Sequence, residues 1–131
     1  MLYYSNALRH AQNEALIAFA GTGAIMHLYA GTQPASANDP ITTQTLLVSL
    51  VIPGVFGTDT NGTLTLSTVT PAIVVAAGTA TFFRITQSNN TTVVLDGSVG
   101  TASADLILNE VDLFPLETVT ISSGTIIRNN I

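Results

Sequence analysis

From Gly23 onward the chain is a succession of short β-type runs separated by turn-forming residues. Each run either alternates apolar and polar side chains or is apolar almost throughout, and Gly, Pro, Asn or Asp punctuates the joins. The runs occupy residues 24–30, 45–52, 63–70, 72–78, 79–86, 91–97, 101–108 and 117–127. About eight strands at short and even spacing predict an antiparallel β-sandwich or jelly roll. The runs 79–86 and 91–97, joined by a turn at 88–90, predict a hairpin.

One α-helix is predicted before the strands. Ser5 or Asn6 can cap its start, and Gly21 with Gly23 can end it. The predicted apolar stripe is Tyr4, Leu8, Ala11, Ala15 and Ala18, whereas Arg9, Gln12 and Asn13 are expected to face water. A stripe made mostly of alanine predicts close packing on a sheet or on a neighbouring subunit. We therefore expect one domain, 1–131, with an N-terminal arm and helix at 1–22 and a β-sandwich at 23–131.

The composition agrees with a β-rich protein that works in contact with other proteins. The chain has 20 Thr, 11 Val and 11 Ile, residue types whose branched side chains fit pleated sheets. Charged residues make up 8% of the chain, against roughly 25% in an ordinary soluble domain. So few charges are typical of a surface that packs against copies of itself or a partner. A homo-oligomer, either a trimer or a dimer, is expected.

The charge balance argues against nucleic acid and membrane partners. The chain has no Lys, and its net charge is −5, so it lacks the basic patch that phosphate contacts require. The apolar run 45–56 is too short for a membrane span and is interrupted by Pro53 and Gly54. The first ten residues do not have the pattern of a signal peptide, so synthesis in a cytoplasm is expected.

The segment "LYAGTQPASANDP", residues 28–40, poses the question of a ligand-holding loop. It leaves a predicted strand, opens no helix and carries no Lys or Arg, which does not match a phosphate-binding loop. Gly31 and the prolines indicate a connection between strands. Its length exceeds what two adjacent strands need, so we expect it to contact a neighbouring protein.

Two histidines are candidates for chemistry. His10 and Glu14 lie four residues apart on the predicted helix, so they share a face and could supply two ligands to a metal that finds another ligand elsewhere. The simpler interpretation is a surface pair. His27 lies in a predicted strand and is interpreted as a half-buried or interfacial side chain, with a catalytic or pH-sensing role as the alternative.

Two groups of acidic residues are candidates for a calcium site and for a catalytic site. Asp96 and Asp105 flank "DGSVGTASAD", where carboxylates and carbonyls could hold calcium, although Asp-Gly more simply predicts a tight turn. Glu110, Asp112 and Glu117 could serve glycoside hydrolysis, but the chain has no Trp and few aromatic residues to line a sugar site.

Arg84 is a lone cation between aromatic and apolar residues in "TFFRIT". It needs a partner, and a structural ion pair with Asp96 or Asp105 is the simplest one. The chain has no Cys and no Gly-x-Ser-x-Gly elbow. The sequence therefore predicts a protein that is not an enzyme, with no catalytic, cofactor-binding or metal-binding residues.

Stretches over nearly the whole chain resemble short structural proteins of tailed bacteriophages. They are "SNALRHAQNEALIAFA", "MHLYAGTQPASANDP", "LLVSLVIPGVFG", "GTATFFRITQSNNTTVVLDGSVG" and "SADLILNEVDLFPLETVTI". The resemblance is one of pattern and composition, and no catalytic motif comes with it. It implies a small β-rich virion component, similar to the capsid decoration (cement) proteins, several of which are jelly rolls or β-sandwiches.

That resemblance implies a specific role and location. The expected function is to bind the outside of the shell formed by the major capsid protein and to stabilise it, on the surface of a virion made in the bacterial host cytoplasm. A tail or baseplate component is the alternative within the same class. A carbohydrate-binding or glycan-hydrolysing domain is the alternative of a different class.

Overall fold

The computed structural model describes residues 2–121 and the backbone of a last strand at 125–127. Within these residues one helix precedes twelve strands, most of them short. The helix is α1 Asn6–Ala20, and the strands are β1 Ala24–Ala30, β2 Thr45–Ile52, β3 Gly57–Thr60, β4 Thr63–Leu66, β5 Ala72–Ile73, β6 Gly78–Thr79, β7 Phe82–Thr86, β8 Val93–Gly100, β9 Leu106–Ile107, β10 Asp112–Leu113, β11 Thr118–Val119 and β12 Thr125–Ile127. The predicted mainly β fold with one N-terminal helix is confirmed.

The largest sheet has five strands in the order β2-β1-β7-β8-β9. Its pairs are antiparallel except β8 with β9, which is parallel. Two smaller sheets pair β10 with β6 and β11 with β5. A third has three strands in the order β12-β4-β3. The predicted hairpin is confirmed as β7–β8. The Asn89 side-chain oxygen stabilises its turn by accepting hydrogen bonds from the N–H groups of Thr91 and Thr92, at 3.0 and 2.9 Å.

The hairpin of β3 and β4 was not predicted, because residues 53–62 were interpreted as a turn-rich connection. Asn61 and Gly62 join the two strands with positive φ angles of 53° and 90°. An Asn-Gly pair with this geometry is the signature of a tight hairpin turn. The signal was therefore present in the sequence, inside a segment dominated by other turn formers.

Several predicted strands are shorter than expected, and one predicted turn is wrong. The run 101–108 is extended only at β9, and the run 117–127 contains β11 and β12, with residues 122–124 outside the described part of the chain. The tight turn predicted at Asp96-Gly97 does not form, because β8 continues through both residues. Gly97 is instead the position where the Phe83 ring crosses the neighbouring strand.

The ends of α1 follow the prediction, but its orientation does not. The Ser5 hydroxyl accepts a hydrogen bond from the Leu8 N–H at 3.1 Å, and Gly21 ends the helix at φ 71°. The predicted apolar stripe is wrong as the packed face: Leu8, Ala11, Ala15 and Ala18 are exposed. Asn13, predicted to face water, is fully buried together with Ala20, and Leu16 and Ile17 pack against the core.

A carboxylate on β3 explains this orientation. The side chain of Asp59 is shielded from solvent and bonds to Asn13 Nδ2 at 2.5 Å and to His10 Nδ1 at 2.6 Å. Burial alone raises the pKa of Asp59, but hydrogen bonds from Asn13, His10 and the Gly62 N–H lower it below its ordinary value. A buried charge must be paired and hydrogen-bonded, so the polar side of the helix turns inward to meet it.

The core lies on one face of the five-stranded sheet. Met26 and Leu28, which lie on one face of β1, are fully buried, as are Leu50 of β2 and Ile85 of β7. Phe56 and Leu64 of the β3–β4 hairpin join the same apolar cluster. Among the residues that the structure describes, no helix has the length and apolar character needed to cross a membrane.

Candidate functional site

A row of polar side chains crosses the other face of the five-stranded sheet. Strand register places His27 opposite both Ser49 and Arg84, and Arg84 opposite Asp96. The row therefore runs Ser49–His27–Arg84–Asp96 over four adjacent strands. Each residue is a polar side chain in a strand rich in apolar residues, so the pairing of the strands collects them in one place.

His27 is held by two hydroxyl groups. Its Nδ1 lies 2.8 Å from Ser49 Oγ and its Nε2 lies 3.2 Å from Thr86 Oγ1. Burial lowers the pKa of His27, and a contact with the Asn90 side chain opposes this only in part. The ring is therefore neutral near pH 7, with one nitrogen donating and the other accepting. In a catalytic serine–histidine pair, a carboxylate normally orients the imidazole. In this row the Thr86 hydroxyl contacts the imidazole at the nitrogen where that carboxylate would lie.

Arg84 and Asp96 form the ion pair that was predicted for Arg84. Arg84 Nε donates to Asp96 Oδ1 at 2.7 Å, and Arg84 Nη2 donates to Asp96 Oδ2 at 2.8 Å. Both side chains are about 95% buried, with 6% and 5% of their surface exposed. The hydrogen bonds that Arg84 donates to Asp96 raise the pKa of Arg84 further above its ordinary value, although burial opposes this. The positive charge in this row is thus neutralised inside the protein.

The floor of a cavity of about 230 Å³ is formed by His27, Ser49, Arg84 and Thr86. Its remaining walls are Tyr29, Ile41, Leu46, Asn90, Thr91 and Val93. Tyr29 stacks on Phe82 with ring centres 5.1 Å apart, and burial raises the pKa of its hydroxyl, which keeps this group protonated. Polar groups on the floor and apolar groups on the walls make this a binding-site candidate by its shape and chemistry.

The loop between β1 and β2, whose first part is "LYAGTQPASANDP", supplies one wall of the cavity through Ile41. Gly31 starts the loop at φ 110°. Gln44 closes it by donating from Nε2 to the Thr32 carbonyl at 2.7 Å and accepting from the Thr42 N–H at 2.9 Å. Asp39 in the same loop contributes to the negative field at Arg84. Part of the loop therefore lies beside the polar row, which its sequence did not reveal.

The His10–Glu14 pair lies on the helix surface, as the simpler interpretation held. His10 Nε2 is 3.8 Å from Glu14 Oε1, and both side chains are half exposed. Asp59 brings a third acidic or imidazole group close, but it contacts the other ring nitrogen. Among the described residues, no group of three or more such side chains has the geometry to hold a metal ion.

The two acidic groups are also placed. Asp96 binds Arg84, whereas Asp105 accepts from the N–H and Oγ of Ser98 at 2.9 and 3.1 Å, so the two carboxylates have separate partners. Glu110 accepts from the Asp112 N–H at 3.3 Å, and Asp112 accepts from Thr79 Oγ1 at 2.7 Å. Glu110, Asp112 and Glu117, the trio of the glycoside-hydrolysis alternative, are exposed to solvent and do not line the cavity.

Sequence analysis missed Ser49, Thr86 and Asn90 as members of the cavity. Ser49 had a usable signal, because it is the single polar side chain within "LLVSLVI". Thr86 had none, since threonine is common in every strand of this chain. Asn90 belongs to the turn between β7 and β8, where it takes a positive φ of 65°.

A second feature is an apolar surface on the turn that follows β10, here called the apolar turn surface and defined by Ile73, Val75, Phe114 and Leu116. The segment 114–117 closes with the Glu117 N–H donating to the Phe114 carbonyl at 3.2 Å. Leu116 has φ 74° and is 86% exposed. Ile73, Val75 and Phe114 are each more than half exposed, while Val74 between the first two is buried.

The geometry of this turn is unfavourable for leucine on two counts. A β-turn with proline at its second position and a positive φ at its third favours Gly or Asn at that third position. Another L residue in this conformation costs about 1–2 kcal/mol. Leu116 also presents its apolar side chain to water. Strained residues of this kind concentrate at functional sites, so the turn is a candidate contact surface.

Lowering the pH from 7.5 to 5 is expected to reduce the free energy of unfolding through His27. The unfolded chain takes up a proton near the ordinary pKa of 6.5, whereas the folded chain does so only at lower pH. Stability is then lost as the pH falls below about 6.5, by at most about 1.4 kcal/mol per unit. Urea unfolding at several pH values measures the slope.

Two variants assign that slope. His27→Gln keeps a hydrogen-bonding side chain that does not titrate, so the slope between pH 7.5 and 5 should become smaller, whereas His10→Gln should retain the His27 contribution. A slope that His27→Gln leaves unchanged would contradict this assignment. The lowered pKa of Asp59 acts in a separate, more acidic window, below about pH 4, where protonating its carboxylate removes stability.

Comparison with protein-family models, curated proteins and solved structures finds no match to this chain.

Proposed function

We propose that this chain is a non-enzymatic decoration (cement) protein of a tailed-bacteriophage head, which binds the outside of the major capsid protein shell and stabilises it. The apolar turn surface is the observation that carries the proposal. Leu116 combines backbone strain with near-complete exposure, a combination that a partner surface would compensate by burying the side chain. The resemblance to phage structural proteins supplies the class of partner.

The proposed mechanism is mass action. A protein that binds the assembled shell better than free capsid subunits stabilises the shell by the difference in affinity. No catalytic group is needed for this, and a surface with few charges suits contact with another protein.

The turn that carries Leu116 is held in place by backbone hydrogen bonds. The Leu116 N–H donates to the Val74 carbonyl at 3.1 Å, and the Val74 N–H donates to the Glu117 carbonyl at 2.8 Å. A fixed turn presents its side chains without a further entropic cost on binding.

The proposed architecture is a β-sandwich or jelly roll, in which the five-stranded sheet forms one layer and the small sheets form the other. The proposed assembly is a dimer or trimer. Support for it comes from α1, whose outward face carries Leu8, Ala11, Ala15 and Phe19, all exposed. Small residues between two large ones allow a second helix to approach closely, and closed symmetric oligomers bury such faces.

Leu116→Asn is expected to weaken binding to purified capsid shells without destabilising the chain. Burying a leucine contributes about 1.5–3 kcal/mol, so its loss should reduce affinity roughly 10- to 100-fold. Asparagine tolerates positive φ, so the free energy of unfolding should stay the same or rise. Co-sedimentation with shells measures binding, and thermal unfolding measures stability.

Val55→Asn is the matched control, because Val55 is an exposed apolar residue outside the apolar turn surface. It should leave shell binding unchanged. The proposal fails if the wild-type protein does not sediment with heads, or if it is recovered only with tails, which would favour the tail or baseplate alternative. Equal binding by wild type and Leu116→Asn would remove the apolar turn surface from the proposal.

A further inference from the structure

We propose that the cavity above the polar row binds a small neutral polyhydroxyl ligand of the size of one monosaccharide. The inference is independent of shell binding, because the cavity and the apolar turn surface share no residue. It also differs from the glycan site weighed on Glu110, Asp112 and Glu117, whose carboxylates lie outside the cavity.

The floor of the cavity concentrates the buried polar side chains. His27, Arg84 and Thr86 are buried and line this cavity. The other buried polar side chains have partners of their own: Asp59 contacts Asn13, and Asp96 pairs with Arg84. Burying polar groups costs free energy that their own hydrogen bonds only offset. Their collection around one open space is typical of a binding site.

The cavity offers both donors and acceptors to a ligand. Arg84 has five N–H groups, and its bidentate contact with Asp96 uses one on Nε and one on Nη2. The other three are not used in that contact, and Arg84 lines the cavity. The Tyr29 hydroxyl, the Asn90 amide and the Thr91 hydroxyl add groups that can both donate and accept. A ligand with hydroxyl groups, which also do both, satisfies this mixed set.

The electrostatics favour a ligand without net charge. Asp96 neutralises Arg84, and Asp39 adds a further negative contribution nearby. His27 is neutral, so the cavity holds no uncompensated cation for a phosphate or carboxylate. No Asp or Glu is among the residues that line the cavity, so the lining offers no ion-pair partner to a cationic ligand.

The size and the walls narrow the class to a sugar ring. A volume of about 230 Å³ lies below the roughly 300–1,000 Å³ of typical ligand pockets, so the ligand must be small. Ile41, Leu46 and Val93 present apolar surface, and the Tyr29 ring adds an aromatic face. A pyranose combines C–H faces with a hydroxyl rim, and this arrangement complements that mixture of surfaces.

The test is an NMR titration of the ¹⁵N-labelled protein with glucose, galactose, mannose and N-acetylglucosamine, and with glucose 6-phosphate as the charged comparison. We expect at least one neutral sugar to shift the amides of Ser49, Asn90 and Thr91 with millimolar affinity. Glucose 6-phosphate should bind at least tenfold more weakly than that sugar.

Three variants make the result decisive. Ser49→Ala removes a floor hydroxyl and should weaken binding several-fold, and Thr91→Trp should block the mouth of the cavity and abolish binding without altering the floor. Thr58→Val, on the exposed side of β3, should leave binding unchanged. The proposal is overturned if no neutral sugar shifts the cavity amides at 50-fold above about 1 mM, if the phosphorylated sugar binds equally well, or if binding survives Thr91→Trp.

Discussion

Arg84→Met is expected to lower the free energy of unfolding by about 3–5 kcal/mol, the range typical of removing one partner of a buried ion pair. The reason is the charge that remains. Asp96 would keep its carboxylate in a site with 5% exposure, and it would lose both hydrogen bonds from the guanidinium. Methionine fills much of the arginine volume, so the loss reports on charge and hydrogen bonding more than on a cavity.

The double variant Arg84→Met/Asp96→Leu separates the two causes. If the unpaired charge dominates, removing the second partner should restore most of the stability, because a well-packed apolar pair often equals or exceeds a buried ion pair. Arg9→Met on α1 is the control for arginine replacement, and its effect should stay below about 1 kcal/mol. Chemical denaturation followed by fluorescence or circular dichroism measures five proteins: the wild type, the single variants Arg84→Met, Asp96→Leu and Arg9→Met, and the double variant. A double variant as unstable as the sum of the two single variants would contradict the argument.

The elements that local sequence determines were predicted closely. α1 begins and ends where its capping residues indicated, because Ser5 and Gly21 act on neighbouring backbone groups. β1 and β2 have the predicted bounds. Alternation in β1 also explains why Met26 and Leu28 lie in the core and His27 on the opposite face, since side chains of a strand alternate between its two faces.

The parts that depend on distant partners were not predictable in this way. The orientation of α1 is decided by Asp59, which is 49 residues from His10 in sequence. A single strongly bonded carboxylate outweighed a weak alanine stripe, whose burial contributes little per residue. The residues around His27 come from positions 22 and 59 residues away, so only the pairing of strands reveals them.

The two candidate surfaces make separate demands on the chain. The cavity depends on the register of β2, β1, β7 and β8, and therefore on the ion pair that Arg84 and Asp96 form across two of them. The apolar turn surface depends on a short turn held by the backbone of Val74. A variant that loosens the first should leave the second intact, so shell binding and sugar binding can be tested independently.

Gly97→Ala is expected to lower the free energy of unfolding by about 1–3 kcal/mol, the usual effect of overfilling a packed site. Gly97 is paired with Phe83 across β7 and β8. A Cβ added at residue 97 would lie 2.4 Å from Phe83 Cζ and 2.5 Å from Phe83 Cε1. Phe83 is buried, with 4% of its surface exposed, so its ring cannot move aside without displacing its neighbours in the core.

Phe83→Leu provides the rescue, because leucine ends short of the ring atoms that clash. The double variant Gly97→Ala/Phe83→Leu should be more stable than the sum of the two single effects predicts, by about 0.5–3 kcal/mol, the range expected for residues in direct contact. Gly100→Ala in the same strand is the control: its added Cβ would lie no closer than 3.2 Å to Ala104 Cβ, so its effect should be smaller. Thermal and urea unfolding of this set measure the coupling. Strictly additive effects would mean that the Phe83 ring is not the reason why residue 97 must be glycine. The continuation of β8 through Asp96-Gly97 would then have another cause.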